Sequence, residues 1–100
     1  MNNRAVTGVV IDPGHGGSDP GAVSGGLREK DFTLQASLYM YDRLKDLGIP
    51  VVLTRNDDST LTRDERINNA LGTFGKNSDV LLISNHINAG GAEFSYHYII

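Results

Sequence analysis

Short apolar runs that suit β-strands recur at three places along the chain. Residues 7–11 are β-branched except for Gly8 and lead into a turn, and residues 51–54 form a second β-rich run. Residues 80–83 are continuously apolar, which is typical of a central strand that is covered on both faces. We therefore predict three strands at these positions.

Two segments between these runs have the spacing of amphipathic helices. In the first, which starts near Asp31 and ends at Gly48, apolar residues recur at steps of three and four. They are Leu34, Leu38, Tyr41, Leu44 and Leu47. In the second, Thr62 and Glu65 form a capping box, and an apolar face follows it. That face consists of Ile67, Ala70, Leu71 and Phe74.

The order strand, loop, helix, strand, helix, strand predicts an α/β fold. Right-handed crossovers in this order give a parallel or mixed sheet that is sandwiched by helices. Residues 12–26 contain six glycines and two prolines, which predicts a shaped loop after the first strand. Since loops at the carboxyl ends of parallel strands meet at one edge of the sheet, that edge is the expected binding site.

Composition and charge narrow the class of protein. The 100 residues are 39% hydrophobic and 21% charged, which is typical of one globular domain at most. The formal net charge is −3 and the nine Lys and Arg residues are scattered, so phosphate-driven binding of nucleic acid is not expected. No cysteine is present, so thiolate ligands are excluded and a metal would be held by His, Asp or Glu.

Three residues are candidates for a metal site at the expected edge. His15 follows the first strand, Glu29 lies at or just before the start of the first helix, and His86 follows the third strand. Two imidazoles and one carboxylate leave a fourth zinc position open for water, as in a catalytic site. Each residue also has a purely structural interpretation, because loop histidines form hydrogen bonds and a carboxylate in a first helical turn suits the helix dipole. The spacing alone leaves both interpretations open.

The sequence VVIDPGHGG at residues 9–17 resembles the opening signature of the type 3 N-acetylmuramoyl-L-alanine amidases. Further landmarks of that family follow in the same order. They are DPGA at 19–22, Glu29 before a helix, VLTR at 52–55, Leu61 with Arg63 or Arg66, and SNHINA at 84–89. The resemblance covers about residues 7–93, whereas residues 94–100 alternate as a strand does but match no landmark.

The resemblance implies that His15, Glu29 and His86 bind one zinc ion. It also implies a substrate, the amide bond between N-acetylmuramic acid and L-alanine in bacterial peptidoglycan. Zinc on such ligands lowers the pKa of a bound water to about 7 and polarises a carbonyl, and amide hydrolysis needs both effects.

The family's domain is nearly twice as long, and its later part supplies a glutamate that acts as general acid and base. Residues 1–100 are therefore expected to be the N-terminal, truncated portion of a single amidase domain that carries the metal ligands. No catalytic residue is identified in it, and the loss of the later part is expected to impair hydrolysis. Neither Glu65 nor Glu93 matches that glutamate, and His97 is interpreted as strand surface.

Three polar residues near the expected site have smaller assigned roles. Asp12 is a candidate hydrogen-bond partner for a ligand histidine. Arg55 is interpreted either as a ligand for a substrate carboxylate or as a solvated or salt-bridged residue. Asn88 is expected to hold the loop around His86 through side-chain hydrogen bonds.

Two other functions fit the sequence less fully. A zinc-holding fragment without the general base would bind peptidoglycan and not cleave it. A nucleotide-binding domain would use the first loop as a phosphate cradle, but Gly14, Gly16 and Gly17 do not complete a G-x-G-x-x-G motif.

The start of the chain has no apolar run long enough for a signal peptide or a membrane span. We therefore expect a protein that is made in the cytoplasm, does not insert into the membrane and acts at the cell wall. A phage or prophage endolysin that leaves the cell with the help of a holin, or a bacterial autolysin, fits this expectation.

Overall fold

The structure is a computed structural model that describes residues 6–87, 94–95 and 98–99. Asn88, Glu93 and His97, which were interpreted above, lie outside the described residues. Seven strands and two helices are described. They are β1 (Gly8–Pro13), β2 (Val23–Ser24), β3 (Leu27–Arg28), α1 (Glu29–Asp46), β4 (Val51–Leu53), α2 (Arg63–Leu71), β5 (Val80–Ile87), β6 (Phe94–Ser95) and β7 (Tyr98–Ile99).

Strand β1 lies in the middle of the sheet. It pairs in parallel with β4 on one side and with β5 on the other. Strands β6 and β7 pair antiparallel with β5, so the five-stranded sheet is mixed. Val9, Val10 and Ile11 are almost completely buried and form the centre of the core. The predicted α/β fold with a parallel or mixed sheet is confirmed.

The two helices lie on opposite faces of this sheet. Helix α1 connects β1 to β4, and α2 returns across β1 to β5. Because such connections are right-handed as a rule and these two run in opposite directions along the sheet, the helices belong on different sides. Side-chain contacts agree with this arrangement. Asp12 of β1 contacts Arg66 of α2, whereas Asn85 of β5 donates a hydrogen bond to Ser37 of α1.

The buried face of α1 differs from the predicted apolar stripe. Its innermost small residues are Thr33 and Ser37, whose side chains are fully buried. The Thr33 hydroxyl donates to the carbonyl of Gly14, and Ser37 accepts from Asn85, so polar contacts to the loop and to β5 place this face inward. Most of the predicted leucines are half-buried, and Leu47 is exposed. No helix among the described residues is long and apolar enough to span a bilayer.

Strand β5 is longer than its apolar run predicts. Its ladder with β1 continues through the pairs Asp12 with Ser84 and Pro13 with Asn85. His86 therefore lies within the strand, and its placement in a loop after the strand is wrong. Residues 81–83 are half-buried and not fully covered on both faces, because α2 packs mainly on β1 and β4.

Candidate metal centre

The side chains of His15, Glu29 and His86 meet at the carboxyl edge of the parallel strands. One candidate ligand atom from each residue lies within 4.8 Å of the other two. His15 Nε2 is 3.2 Å and His86 Nδ1 is 3.4 Å from Glu29 Oε2. The two imidazole rings are nearly perpendicular, at 86°, with centroids 5.2 Å apart. Two ring nitrogens thus converge on one carboxylate oxygen, a donor set that fits a single metal ion.

Glu29 is the first residue of α1, and its side chain is only 5% exposed. Its Oε1 accepts a hydrogen bond from the N–H of Ala22 at 3.0 Å, and its Oε2 accepts one from the N–H of Ile87 at 2.9 Å. Burial raises the pKa of this carboxyl, but the two N–H groups and the two histidines outweigh burial, so the pKa lies below its ordinary value. Glu29 is therefore ionised at neutral pH, as a metal ligand must be.

His15 occupies an unusual backbone position in the glycine-rich loop. Its φ is 64°, in the left-handed region that few residues other than glycine adopt. Its Nδ1 lies 2.8 Å from Asp19 Oδ2, which leaves Nε2 facing Glu29. The hydrogen bond from His15 is the main cause that lowers the pKa of Asp19. The loop thus fixes the position of His15 in two ways, by the contact of Asp19 with the imidazole ring and by the backbone conformation of His15 itself.

Two arginines hold the carbonyl of His15 in this strained position. Arg55 Nε donates to it at 2.7 Å, and Arg66 Nη2 donates at 3.0 Å. Arg55 is 4% exposed and also donates to the carbonyls of Gly14 and Lys30. Arg55 is therefore neither solvated nor open to substrate, and it forms no salt bridge with another described residue, so neither interpretation given above is borne out. Its role in the structure is to join the loop to the start of α1.

Asp12 does not contact either ligand histidine in the described part of the chain. Its carboxylate accepts hydrogen bonds from Thr54 and Ser84 and pairs with Arg66. The prediction that Asp12 supports a ligand histidine is wrong, because Asp12 points to the face of the sheet that α2 covers. Asp19 has that contact, and the sequence signal was its position four residues after His15 in a tight glycine loop.

Gly14 and Gly21 lie against the candidate ligands so closely that a side chain would collide with them. A Cβ on Gly14 would be 2.5 Å from His86 Cε1. A Cβ on Gly21 would be 2.6 Å from His15 Cδ2 and 2.8 Å from Glu29 Oε1. The glycines of the first loop therefore allow its backbone to pack directly on the cluster.

These features define an α/β domain with a possible His–Glu–His metal site at the edge of its sheet. Residues 9–98 match the family profile described as N-acetylmuramoyl-L-alanine amidase. The chain belongs to this family. The matched region includes most of residues 94–100, in which the sequence motifs above gave no landmark.

Relatives of known sequence and structure resemble the chain over most of its length. The uncharacterized protein YqiI of Bacillus subtilis (strain 168) is 45% identical over 87 residues, which are 87% of this chain and 40% of YqiI. The sporulation-specific N-acetylmuramoyl-L-alanine amidase of the same strain is 39% identical over 91% of this chain and 35% of its own length. The crystal structure of N-acetylmuramoyl-L-alanine amidase from Clostridium difficile 630 has a TM-score of 0.74 and 33% identity, over 91% of this chain and 48% of that one. The chain thus spans less than half the length of each relative.

Proposed function

We propose that this chain is the metal-binding portion of a zinc-dependent N-acetylmuramoyl-L-alanine amidase. The proposed reaction is hydrolysis of the amide bond that joins N-acetylmuramic acid to L-alanine in peptidoglycan. One observation carries the proposal: His15, Glu29 and His86 converge at the sheet edge in a member of this amidase family.

Zinc is the metal that the donor set favours. Two imidazole nitrogens and one carboxylate oxygen are the protein ligands of many catalytic zinc sites, and they leave one tetrahedral position for water. A zinc ion held in this way supplies a bound water of lowered pKa and polarises the carbonyl of a substrate.

The protein's own groups prepare this site in three ways. Glu29 is kept ionised by the N–H groups of Ala22 and Ile87, so it presents a negative charge without needing to lose a proton on binding. His86 extends from a strand that pairs with β1, which limits its movement. The histidine side chains are 27% exposed at His15 and 38% exposed at His86, so an extended polymer can reach the cluster from solvent.

The first test measures zinc in the purified chain after dialysis, by elemental analysis. We expect about one zinc per chain, and we expect loss of zinc in His15→Ala, Glu29→Gln and His86→Ala. Glu65→Gln is the matched control, because Glu65 lies in the capping box of α2 and glutamine can serve in the same box. Zinc retained by all three ligand variants at the level of the parent would refute the proposed site.

The second test measures hydrolysis by the release of L-alanine-linked peptides from purified peptidoglycan. Because the family's general acid and base is not identified among these residues, we expect only weak release by the zinc-loaded chain and by Glu65→Gln, and none by Glu29→Gln. Binding to peptidoglycan without release would instead favour the alternative function, a zinc-holding fragment that recognises the wall and does not cut it.

The proposed substrate implies that the protein acts at the cell wall. An endolysin that a partner holin lets through the membrane, or a bacterial autolysin, would act there. Lysis on co-expression with a holin, and its absence without one, would support the endolysin route.

A further inference from the structure

The two nitrogens of the His15 ring face different carboxylates. Nδ1 lies 2.8 Å from Asp19 Oδ2, outside the cluster, and Nε2 lies 3.2 Å from Glu29 Oε2, inside it. A neutral imidazole carries its proton on one nitrogen only, and the other nitrogen has the lone pair that binds a metal. Nε2 is therefore available to a metal only when the ring proton lies on Nδ1, next to Asp19.

We propose that Asp19 is a positioning residue for the metal site, an inference that rests on the proposed function. Asp19 and Glu29 are both acceptors, but the contact with Asp19 is shorter, and Glu29 Oε2 already accepts from the N–H of Ile87 and faces His86. Asp19 therefore favours the tautomer with the proton on Nδ1. The lone pair of Nε2 then points into the cluster. The same contact fixes the direction of the ring, because Asp19 Oδ2 lies on the side away from Glu29.

The loop aims the Asp19 carboxylate at the ring by short backbone contacts. The N–H of Gly16 donates to the carbonyl of Asp19 at 2.8 Å, and the N–H of Asp19 donates back to the carbonyl of Gly16 at 2.9 Å. Asp19 Oδ1 also accepts from the N–H of Gly21 at 3.2 Å. One carboxylate oxygen is thus tied to the loop, and the other is left for His15.

The Asp19 side chain adds little to the core, since it is 63% exposed. An exposed ion pair of this kind contributes little to stability. A purely structural role would therefore predict a small change in stability and no change in the state of the His15 ring. A positioning role predicts a change in the ring tautomer and in zinc affinity, so the two roles can be separated.

The experiment compares Asp19→Asn and Asp19→Ala with the parent chain and with Asp31→Asn. Asp31 is the matched control, because it forms a similarly exposed ion pair with Arg28 at 2.9 Å and does not contact a histidine in the described structure. Zinc affinity is measured by competition with a chromophoric chelator, and the His15 tautomer by ring ¹⁵N chemical shifts of the metal-free protein. The spectra are recorded at a pH at which imidazole is neutral, and far-UV circular dichroism checks folding.

We expect both Asp19 variants to bind zinc roughly 10–100-fold more weakly than the parent, which is the usual loss when such a partner is removed. Asp31→Asn should stay within about twofold of the parent. Metal-free His15 should carry its proton on Nδ1 in the parent and shift towards the Nε2–H form in Asp19→Ala.

Zinc affinity equal to the parent in both Asp19 variants would overturn the inference, and so would an Nε2–H tautomer in the metal-free parent. If Asp19→Ala does not fold, the isosteric Asp19→Asn and the spectrum of the parent decide the question. If the parent binds no zinc, the proposed function fails, and the tautomer of the parent still decides the role of Asp19.

Discussion

Gly21 is a residue at which an added Cβ is expected to disturb the cluster. Its φ of 68° disfavours other residues, and a Cβ there would meet both His15 and Glu29. Gly25 has a similar φ of 55°, but a Cβ on it would meet no atom within 4 Å. The two glycines therefore separate backbone strain from collision with the ligands.

We predict that Gly21→Ala and Gly25→Ala each lose about 1–2 kcal/mol of stability from the strained backbone. Only Gly21→Ala should also weaken zinc binding, by roughly tenfold or more, since a misplaced ligand costs metal affinity. Urea denaturation gives the first quantity and chelator competition gives the second. Equal zinc affinity in the two variants would show that contact with the ligands does not matter at Gly21.

Asp58 supports the first loop from a distance in the sequence. Its carboxylate accepts hydrogen bonds from the Nζ of the buried Lys30 and from the N–H of Gly17, each at 2.8 Å. The bond from Lys30 is the main cause that holds the pKa of Asp58 below its ordinary value. The folded state therefore favours the ionised form of this carboxyl.

Because the folded-state pKa is depressed, the contribution of Asp58 to stability is present above its unfolded pKa of about 3.9 and is lost as the pH falls through the lower folded value. Asp58→Asn should be less stable than the parent at neutral pH, and the difference should shrink as the pH drops below about 4. Urea midpoints of both proteins between neutral and acidic pH measure this, with the exposed Asp57→Asn as control. A difference that does not change with pH would contradict the role of the charge.

At the scale of elements, α2 supports the site although none of its residues lies in the cluster. Arg66, in the middle of α2, pairs with Asp12 and donates to the carbonyls of Pro13 and His15. A planar guanidinium can meet these three acceptors together, whereas the ammonium of lysine acts as a point charge. The helix thereby joins β1 to the loop that holds the first candidate ligand.

We predict that Arg66→Lys destabilises the protein by about 1–3 kcal/mol, because it leaves acceptors on β1 and on the loop without their donor. It should also weaken zinc binding, since the His15 carbonyl loses one of its two arginine contacts. Arg63→Lys, in the exposed first turn of the same helix, should change neither quantity. Unchanged zinc affinity in a folded Arg66→Lys would show that Arg55 alone holds the loop.

Features that depend on residues close together in the sequence could be predicted, whereas features that depend on residues far apart in the sequence could not. The capping box of Thr62 and Glu65 is present as predicted, because both partners lie within one turn of helix. The length of β5 depends on its ladder with β1, more than 70 residues earlier in the chain. The apolar run at residues 80–83 therefore predicted a strand that is too short. Strands β2 and β3 were missed because each has two exposed residues and no hydrophobic alternation.

At the scale of the whole molecule, the same distinction applies to the candidate site. The sequence could predict that His15, Glu29 and His86 lie close together, because parallel strands end at one edge of the sheet. The contacts that hold His15 could not, since Arg55 and Arg66 lie 40 and 51 residues away and reach its carbonyl from different elements. Sequence motifs indicated the candidate residues, and the fold was needed to show what they touch.

The candidate ligands also lie far apart along the chain, and this gives zinc a predicted effect on the whole fold. One ion would join the loop after β1, the first turn of α1 and the end of β5. A ligand that binds only the folded state at 100 times its Kd adds about 2.7 kcal/mol of stability. For a domain of this size, each kcal/mol raises Tm by roughly 4–8 °C. We therefore predict an increase in Tm of about 10–20 °C on adding zinc to the metal-free chain.

Calorimetry or thermal circular dichroism, with and without zinc, measures this increment within each variant, so differences in metal-free stability cancel. Glu29→Gln should show little or no increment, because it keeps the size of the side chain but loses the charged ligand that bridges both histidines. Glu65→Gln should respond as the parent does, since Glu65 lies on α2 in a capping box. An equal increment in Glu29→Gln would mean that zinc stabilises the fold from elsewhere, whereas an increment confined to the parent and Glu65→Gln would tie the stability of the sheet edge to the cluster.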